Sequence, residues 1–120
     1  MMRLTRKIPY GSTSIRSLRK LVERYGNAKI VATGLNYKER LDSLRLLRKS
    51  ENFYIELSMD CGVEAARWYT ERAGSEMILM GTGFSLFYPM IGVAKVLKAR
   101  ISDEDRVKIL HENAARLFGL

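Results

Sequence analysis

The chain has 120 residues, a length that fits one domain with a single hydrophobic core. Although 47% of the residues are hydrophobic, no apolar run is long enough to cross a bilayer and no signal-peptide pattern opens the sequence, so we expect no membrane association. The single cysteine, Cys61, excludes an internal disulfide bond and fits a reducing compartment, which indicates a cytoplasmic globular protein. The absence of glutamine and the many Arg, Lys and Glu residues favour a thermophilic source.

The net charge of +8 arises in the first half of the chain. Residues 1–50 contain 13 basic and 3 acidic residues, whereas residues 51–120 contain 8 basic and 10 acidic residues. Such asymmetry can indicate an anionic partner such as nucleic acid. Here, however, Arg16, Arg19 and Lys20 lie opposite the apolar positions of a predicted helix, and no aromatic residues alternate with them. We therefore expect a solvated helix face and keep nucleic-acid binding only as an alternative.

Predicted strands and helices alternate along the chain. The strands are RLTRKIPY (3–10), KIVATGL (29–35), FYIELSM (53–59) and EMILMGT (76–82). The helices cover residues 12–26, 37–50, 62–75, 89–100 and 103–118; Ser12 or Ser14 caps the first and Ser102 the last. The second helix is predicted to bury Leu41, Leu44 and either Leu46 or Leu47. Strands that alternate with helices at this spacing predict right-handed βαβ units and a parallel sheet.

From about Ile15 to Leu120 the order of segments resembles the C-terminal half of the amidohydrolase-related family of metal-dependent hydrolases and decarboxylases. The matching stretches are LRKLVERYGNAKIVATGLN, FYIELS, EMILMGTGFSLFYP and, most specifically, ISDEDRVKILHENAARLFGL with Asn113, Ala114, Arg116, Leu117 and Phe118. Because members of this family are (β/α)8 barrels, the resemblance implies half of such a barrel. We therefore expect residues 1–120 to form one half-barrel domain with about four parallel strands, flanking helices and a C-terminal helix.

The resemblance also implies where metal ligands would lie, and these positions hold other residues. Family members bind metal through an HxH pair on the first strand, a His on the fifth, a His on the sixth and an Asp on the eighth. The chain matches from about the fifth strand, where Pro9 or Tyr10 stands near the strand end. Gly34, or Thr33 if the register slips by one, stands at the sixth-strand position, and Gly83 stands at the Asp position. We therefore expect no metal, no cofactor and no catalytic residue.

The ends of the predicted strands hold the residues that remain as candidates for ligand binding. They are Thr33, Gly34, Glu56, Asp60, Gly81, Thr82 and Gly83. Glycines at a strand end let backbone N–H groups approach an anion, although they also suit an ordinary turn. Alternation along FYIELSM directs Glu56 away from the helices, where Lys7 or Arg6 is a candidate partner for its charge. Cys61 and His111, the only cysteine and histidine, are predicted to be an inert thiol and a helix-surface residue.

Three functional hypotheses follow. The first is a degenerate, metal-free domain that binds a small anion or acts in assembly. The second is a hydrolase or lyase subunit whose missing ligands come from a partner chain, or whose chemistry has moved to Glu56, Asp60 or Cys61. The third is nucleic-acid binding.

A half-barrel on its own would expose an apolar inner face and unpaired strand edges. We therefore expect a homodimer in which two inner faces meet and complete a barrel. Two alternatives would also cover the inner face and the strand edges: a different chain that carries the first four strands, or a rearranged sheet.

Overall fold

The structure, a computed structural model, describes residues 13–62 and 64–120. In this part of the chain, three short strands form a parallel sheet in the order β1-β2-β3, and helices follow them in a mixed α/β fold. The strands are β1 (Ile30–Ala32), β2 (Phe53–Glu56) and β3 (Ile78–Leu79).

The described residues form five helices. They are α1 (Ile15–Arg24), α2 (Arg40–Lys49, preceded by a 3₁₀ turn at Tyr37–Glu39), α3 (Ala65–Ala73), α4 (Pro89–Leu97) and α5 (residues 103–118). Helix α5 consists of three consecutive segments, Asp103–Val107, the π-helical Lys108–Glu112, and Asn113–Phe118. The predicted caps are confirmed, because the side chains of Ser14 and Ser102 accept hydrogen bonds from the first turns of α1 and α5.

The two faces of the sheet have different surroundings. One face belongs to the hydrophobic core formed with the helices, to which the strands contribute Ala32, Phe53, Ile55 and Ile78. Tyr54 and Glu56 therefore point to the opposite face, and the register places Glu56 beside Leu79. This confirms the predicted alternation. Tyr54 and Leu79 are nevertheless only 2% and 5% exposed, so this second face is buried within the single chain.

Helix α5 covers the edge of β3 that faces away from β2. The carbonyl of Ile109, inside the π-helical segment, accepts a 2.9 Å hydrogen bond from the backbone N–H of Met80. Asn113 is fully buried and donates to the carbonyls of Ser75 and Ile78 at 2.7 and 2.8 Å. The N–H of Ile78 donates to the carbonyl of Ser75 at 3.2 Å. These bonds occupy backbone groups that an open edge would offer to another strand.

Two expectations need revision. A four-strand half-barrel is not confirmed, because three strands are present in the described residues and the predicted strand at 3–10 lies outside them, as do Arg6, Lys7, Pro9 and Tyr10. The prediction that Leu41 is buried is wrong, since its side chain is 63% exposed. Helix α2 buries Arg40, Ser43, Leu44 and Leu47 at helical spacing, with Leu46 beside them, and this face turns Leu41 outward.

Candidate functional site

The carboxyl ends of the three strands meet at one rim of the sheet, where (β/α) enzymes carry their active sites. Thr33 and Gly34 follow β1, Glu56 ends β2, and Gly81, Thr82 and Gly83 lie just beyond β3. The structure thus brings the predicted residues of all three strands to one rim. What they do there depends on which of their polar groups are already engaged.

Glu56 ends the central strand of the sheet, and among the described residues its carboxylate binds a neighbour in sequence. The backbone N–H of Ser58 donates to Oε1 of Glu56, and the hydroxyl of Ser58 donates to Oε2 at 2.7 Å. The carboxylate lies directly against Gly81, where a Cβ atom would overlap Oε1. A side chain at position 81 would therefore have to displace the Glu56 carboxylate from its contacts with Ser58.

Helix α4 packs closely on the same loop. A Cβ atom at Gly92 would overlap the carbonyl oxygen of Gly81 and come within 2.8 Å of Cα of Thr82. From the same helix, Nζ of Lys95 donates to the carbonyl of Ser58 at 2.8 Å. The loop after β3 is thus held between the carboxylate of Glu56 and the backbone of α4.

The two glycines at expected ligand positions have left-handed backbone conformations. The φ angle is +69° at Gly34 and +65° at Gly83, a region that residues with a side chain rarely adopt. A Cβ atom at Gly83 would also lie 2.7 Å from Cδ2 of Phe87. A His or Asp side chain would be strained at either position and would also be crowded by Phe87 at Gly83, so these residues do not match the metal site that the family resemblance implies.

Asp60 is paired with Arg40 in a buried, bidentate salt bridge. Nε and Nη2 of Arg40 donate to the two carboxylate oxygens at 2.7 and 2.8 Å, and the N–H of Gly62 donates to Oδ1 at 2.9 Å. Asp60 is 2% and Arg40 6% exposed. The guanidinium lies 4.9 Å from the ring centroid of Tyr37 and 5.5 Å from that of Trp68. The Asp60 carboxylate therefore has a structural role, because it joins the loop after β2 to Arg40 on α2.

Ser43 and Tyr69 form a second buried polar contact next to the Arg40–Asp60 pair. The hydroxyl of Ser43 donates to the carbonyl of Arg40 at 3.0 Å and lies 2.7 Å from the hydroxyl of Tyr69, which then acts as the donor to Ser43. Burial raises the pKa of Tyr69 to about 12, with a smaller contribution from the negative charge of Asp60. Tyr69 therefore stays neutral across the physiological range and works as a hydrogen-bond donor.

The single cysteine and the single histidine are both at the surface. Cys61 is exposed, and His111 lies on the exposed surface of α5. Across residues 13–62 and 64–120, no group of three His, Cys, Asp or Glu side chains is arranged to hold a metal ion. Nor does any helix in these ranges have the length and apolar character needed to cross a membrane.

A groove of about 560 Å³ lies between α1 and α2, away from the rim. Its charged lining residues are Arg16, Arg19, Glu23, Asp42, Arg45 and Lys49. Two of the arginines face acidic neighbours, since Arg19 is 3.5 Å from Glu23 and Arg45 is 3.2 Å from Asp42. The groove therefore has a modest positive excess, and part of its charge is already paired.

Comparison with known proteins gives a fold relationship. Neither the family models nor the curated proteins include a match to this sequence. A solved structure, that of 5-carboxyvanillate decarboxylase LigW from Sphingomonas paucimobilis, matches 83% of the chain with a TM-score of 0.59 and 23% identity. The chain shares its fold with part of this decarboxylase. The match covers 36% of the decarboxylase chain, so this chain spans about a third of that enzyme's length.

Three residues that shape the rim were absent from the sequence-based set. Ser58 binds Glu56, Lys95 binds the carbonyl of Ser58, and Arg40 binds Asp60. Two of them had a detectable signal: Ser58 follows Glu56 in the same strand alternation, and Lys95 is the one charged residue of the predicted apolar helix before its last turn. Arg40 had none, because it is 20 residues from Asp60 and resembles the other basic residues of α2.

Proposed function

We propose that this chain is a non-catalytic domain of the barrel type that acts through assembly. The observation that carries the proposal is the left-handed backbone of Gly34 and Gly83, at the two positions where the family resemblance expects a His and an Asp. Glycine adopts this backbone conformation at a lower cost than any other residue, which argues against a His or Asp ligand at these two positions.

The state of the two carboxylates at or near the rim supports the same proposal. Metal ions and general acid–base chemistry need groups that are free to bind or to move a proton. Asp60 is instead neutralised by Arg40, and Glu56 accepts two hydrogen bonds from Ser58. A hydrolase or lyase activity completed by a partner chain would have to displace these contacts.

Binding of a small anion at the rim receives less support than assembly. The backbone N–H groups of residues 81–83, after β3, were the expected anion-binding groups. The carboxylate of Glu56, however, lies against Gly81 in the middle of this strand-end rim. An anion in that place would meet a like charge at contact distance, which is unfavourable in a partly buried site. We therefore propose assembly, as a homodimer in the cytoplasm, as the primary role.

The proposal is tested by metal content and mass in solution. The 120-residue chain is incubated with Zn²⁺ or Mn²⁺, passed through a desalting column, and measured by elemental analysis and by light scattering. We expect well under one equivalent of metal and the mass of a dimer. Retention of about one equivalent after mild chelation would contradict the non-catalytic assignment, and a monomeric mass would contradict the assembly role.

The groove between α1 and α2 supports a second candidate, weak binding of nucleic acid. Its four basic and two acidic side chains leave a small positive excess, and no pattern for reading base edges was found in the sequence. We expect weak, sequence-independent binding that disappears as salt rises. Filter binding of a labelled single strand at ~20 and ~200 mM salt tests this; a complex that persists at the higher salt would contradict weak binding and would favour nucleic-acid binding over assembly as the primary role.

A further inference from the structure

An apolar surface extends from the rim along the start of α4. The 18 residues from Met77 to Ala94, between Glu76 and Lys95, include no charged side chain. Residues 84–91 of this stretch are exposed, and their large apolar side chains are Phe84 (79%), Leu86 (56%), Phe87 (36%), Tyr88 (81%), Met90 (70%) and Ile91 (50%). We call these six residues the rim patch. Contiguous apolar surface of this kind commonly marks an interaction site.

The rim patch is attached to the sheet through several local contacts. The backbone N–H groups of Leu86 and Phe87 both donate to the carbonyl of Gly83, at 2.8 and 3.1 Å. The ring of Phe87 packs over Gly83, and the close approach of Gly92 to Gly81 anchors the helix that carries the rest of the patch. The patch is therefore a shaped surface that a partner can meet with little further ordering.

We propose that a second copy of this chain docks on the rim patch, an inference that rests on the assembly role proposed above. Two copies that each carry a net charge of +8 repel one another, most strongly where the basic first halves of the two chains approach. The rim patch is uncharged, so two patches can meet across a twofold axis, where each surface must be complementary to itself. Its exposed side chains amount to roughly 700 Å² per copy, near the ~800 Å² that each partner buries in a standard interface.

Two other surfaces expected for a barrel-completing dimer are less suitable. The inner face of the sheet is already covered, because Tyr54 and Leu79 are buried within one chain. The outer edge of β3 is occupied by α5, since Ile78 and Met80 have hydrogen-bond partners on that side. The exposed apolar surface lies in the rim patch instead, and a dimer gains most by burying it.

The structure offers a matched pair of variants for the test. Met90 and Leu41 are each the second residue of a helix, α4 and α2, and are 70% and 63% exposed. Met90→Glu puts a charge in the rim patch, and Leu41→Glu makes the same change elsewhere, with the same effect on net charge and helix dipole. We expect wild type and Leu41→Glu to be dimers by light scattering and Met90→Glu to dissociate, with a dimer Kd raised roughly tenfold or more.

A second measurement needs no variant. Hydrogen–deuterium exchange of the wild-type chain, compared at low and high protein concentration, should show protection of residues 84–91 that rises with concentration. A wild-type dimer that Met90→Glu leaves intact, without such protection, would overturn the rim-patch inference while leaving assembly in place. A wild-type monomer at ~50 µM would overturn both, and the patch would then belong to a different partner.

Discussion

The side-chain amide of Asn113, on the last helix, donates a 2.8 Å hydrogen bond to the carbonyl of Ile78 in β3, 35 residues earlier in the chain. The same amide donates to the carbonyl of Ser75 at 2.7 Å, and its own Oδ1 accepts from Arg116 at 3.0 Å. Asn113 therefore joins the C-terminal helix to the outer edge of the sheet, and its complete burial makes these bonds costly to lose.

Replacing Asn113 with alanine should destabilise the chain by about 2–4 kcal/mol, because two buried carbonyls lose their donor and the edge of β3 opens. Urea denaturation followed by circular dichroism measures the change, and light scattering should show increased aggregation. Asn27→Ala, at an exposed position, is the control and should stay within about 0.5 kcal/mol of wild type. Equal stabilities for the two variants would refute this role for Asn113.

The Arg40–Asp60 pair should respond strongly to the loss of one charge. Asp60→Asn leaves the guanidinium of Arg40 buried without its counter-charge, and we expect a loss of about 3 kcal/mol. The exposed pair Arg45–Asp42, with an N–O distance of 3.2 Å, supplies the control: Asp42→Asn should cost under about 1 kcal/mol. The fluorescence of Trp68, whose ring lies 5.5 Å from the Arg40 guanidinium, reports unfolding in both variants. A small effect of Asp60→Asn would show that the pair contributes little.

Local features of the fold were predictable because their signals lie within a few residues. Helix α5 was predicted over residues 103–118 as observed, from the Ser102 cap at its start. The alternation in β2 correctly directed Glu56 away from the core. Strand lengths were overestimated, since apolar residues such as Leu57 and Met80 continue the pattern beyond the paired segment.

Long-range contacts were not predictable, because no periodic pattern encodes them. The sequence suggested Lys7 or Arg6 as the partner of Glu56, and both lie outside the described residues; within them, Glu56 accepts hydrogen bonds from Ser58, two residues away. The Arg40–Asp60 pair and the contacts of Asn113 connect residues 20 to 38 positions apart. The rim patch was missed for a related reason: an apolar stretch predicts burial, and only the packing of the chain shows which side stays exposed.

The contact between Glu56 and Gly81 can be tested by a double-mutant cycle. Gly81→Ala should destabilise the chain by about 1–3 kcal/mol, because the new methyl group overlaps the carboxylate. Glu56→Ala in the same chain removes the overlapping group, so the double variant should lose less than the sum of the single changes, by about 0.5 kcal/mol or more.

Two further glycines serve as controls for that cycle. A Cβ atom at Gly92 would overlap the backbone of Gly81, so Glu56→Ala should not relieve Gly92→Ala. Gly26 has no atom within 4 Å of an added Cβ, and Gly26→Ala should be nearly neutral. Additive behaviour of Gly81→Ala and Glu56→Ala would contradict the packing described for the rim.

The buried hydroxyl of Tyr69 predicts a loss of stability at alkaline pH. Burial raises its pKa from the ordinary value of 10.0 to about 12 in the folded chain. An unfolded chain releases this proton near pH 10, so between pH 10 and 12 the unfolded state binds fewer protons than the folded state. Stability is therefore fully present below pH 10 and falls as pH rises towards 12, by up to about 1.4 kcal/mol per pH unit for this one group.

Tyr69→Phe isolates this contribution, because it removes the ionisable hydroxyl while keeping the ring in the core. At neutral pH the variant should lose about 1 kcal/mol, the value of the hydrogen bond to Ser43. Between pH 10 and 12 its stability should fall less steeply than that of wild type, as measured by urea denaturation at each pH. Tyr25→Phe, at a 49% exposed position, should follow the wild-type curve. Parallel curves for wild type and Tyr69→Phe across this range would mean that the hydroxyl ionises as readily in the folded chain as in the unfolded one, and that burial does not raise its pKa.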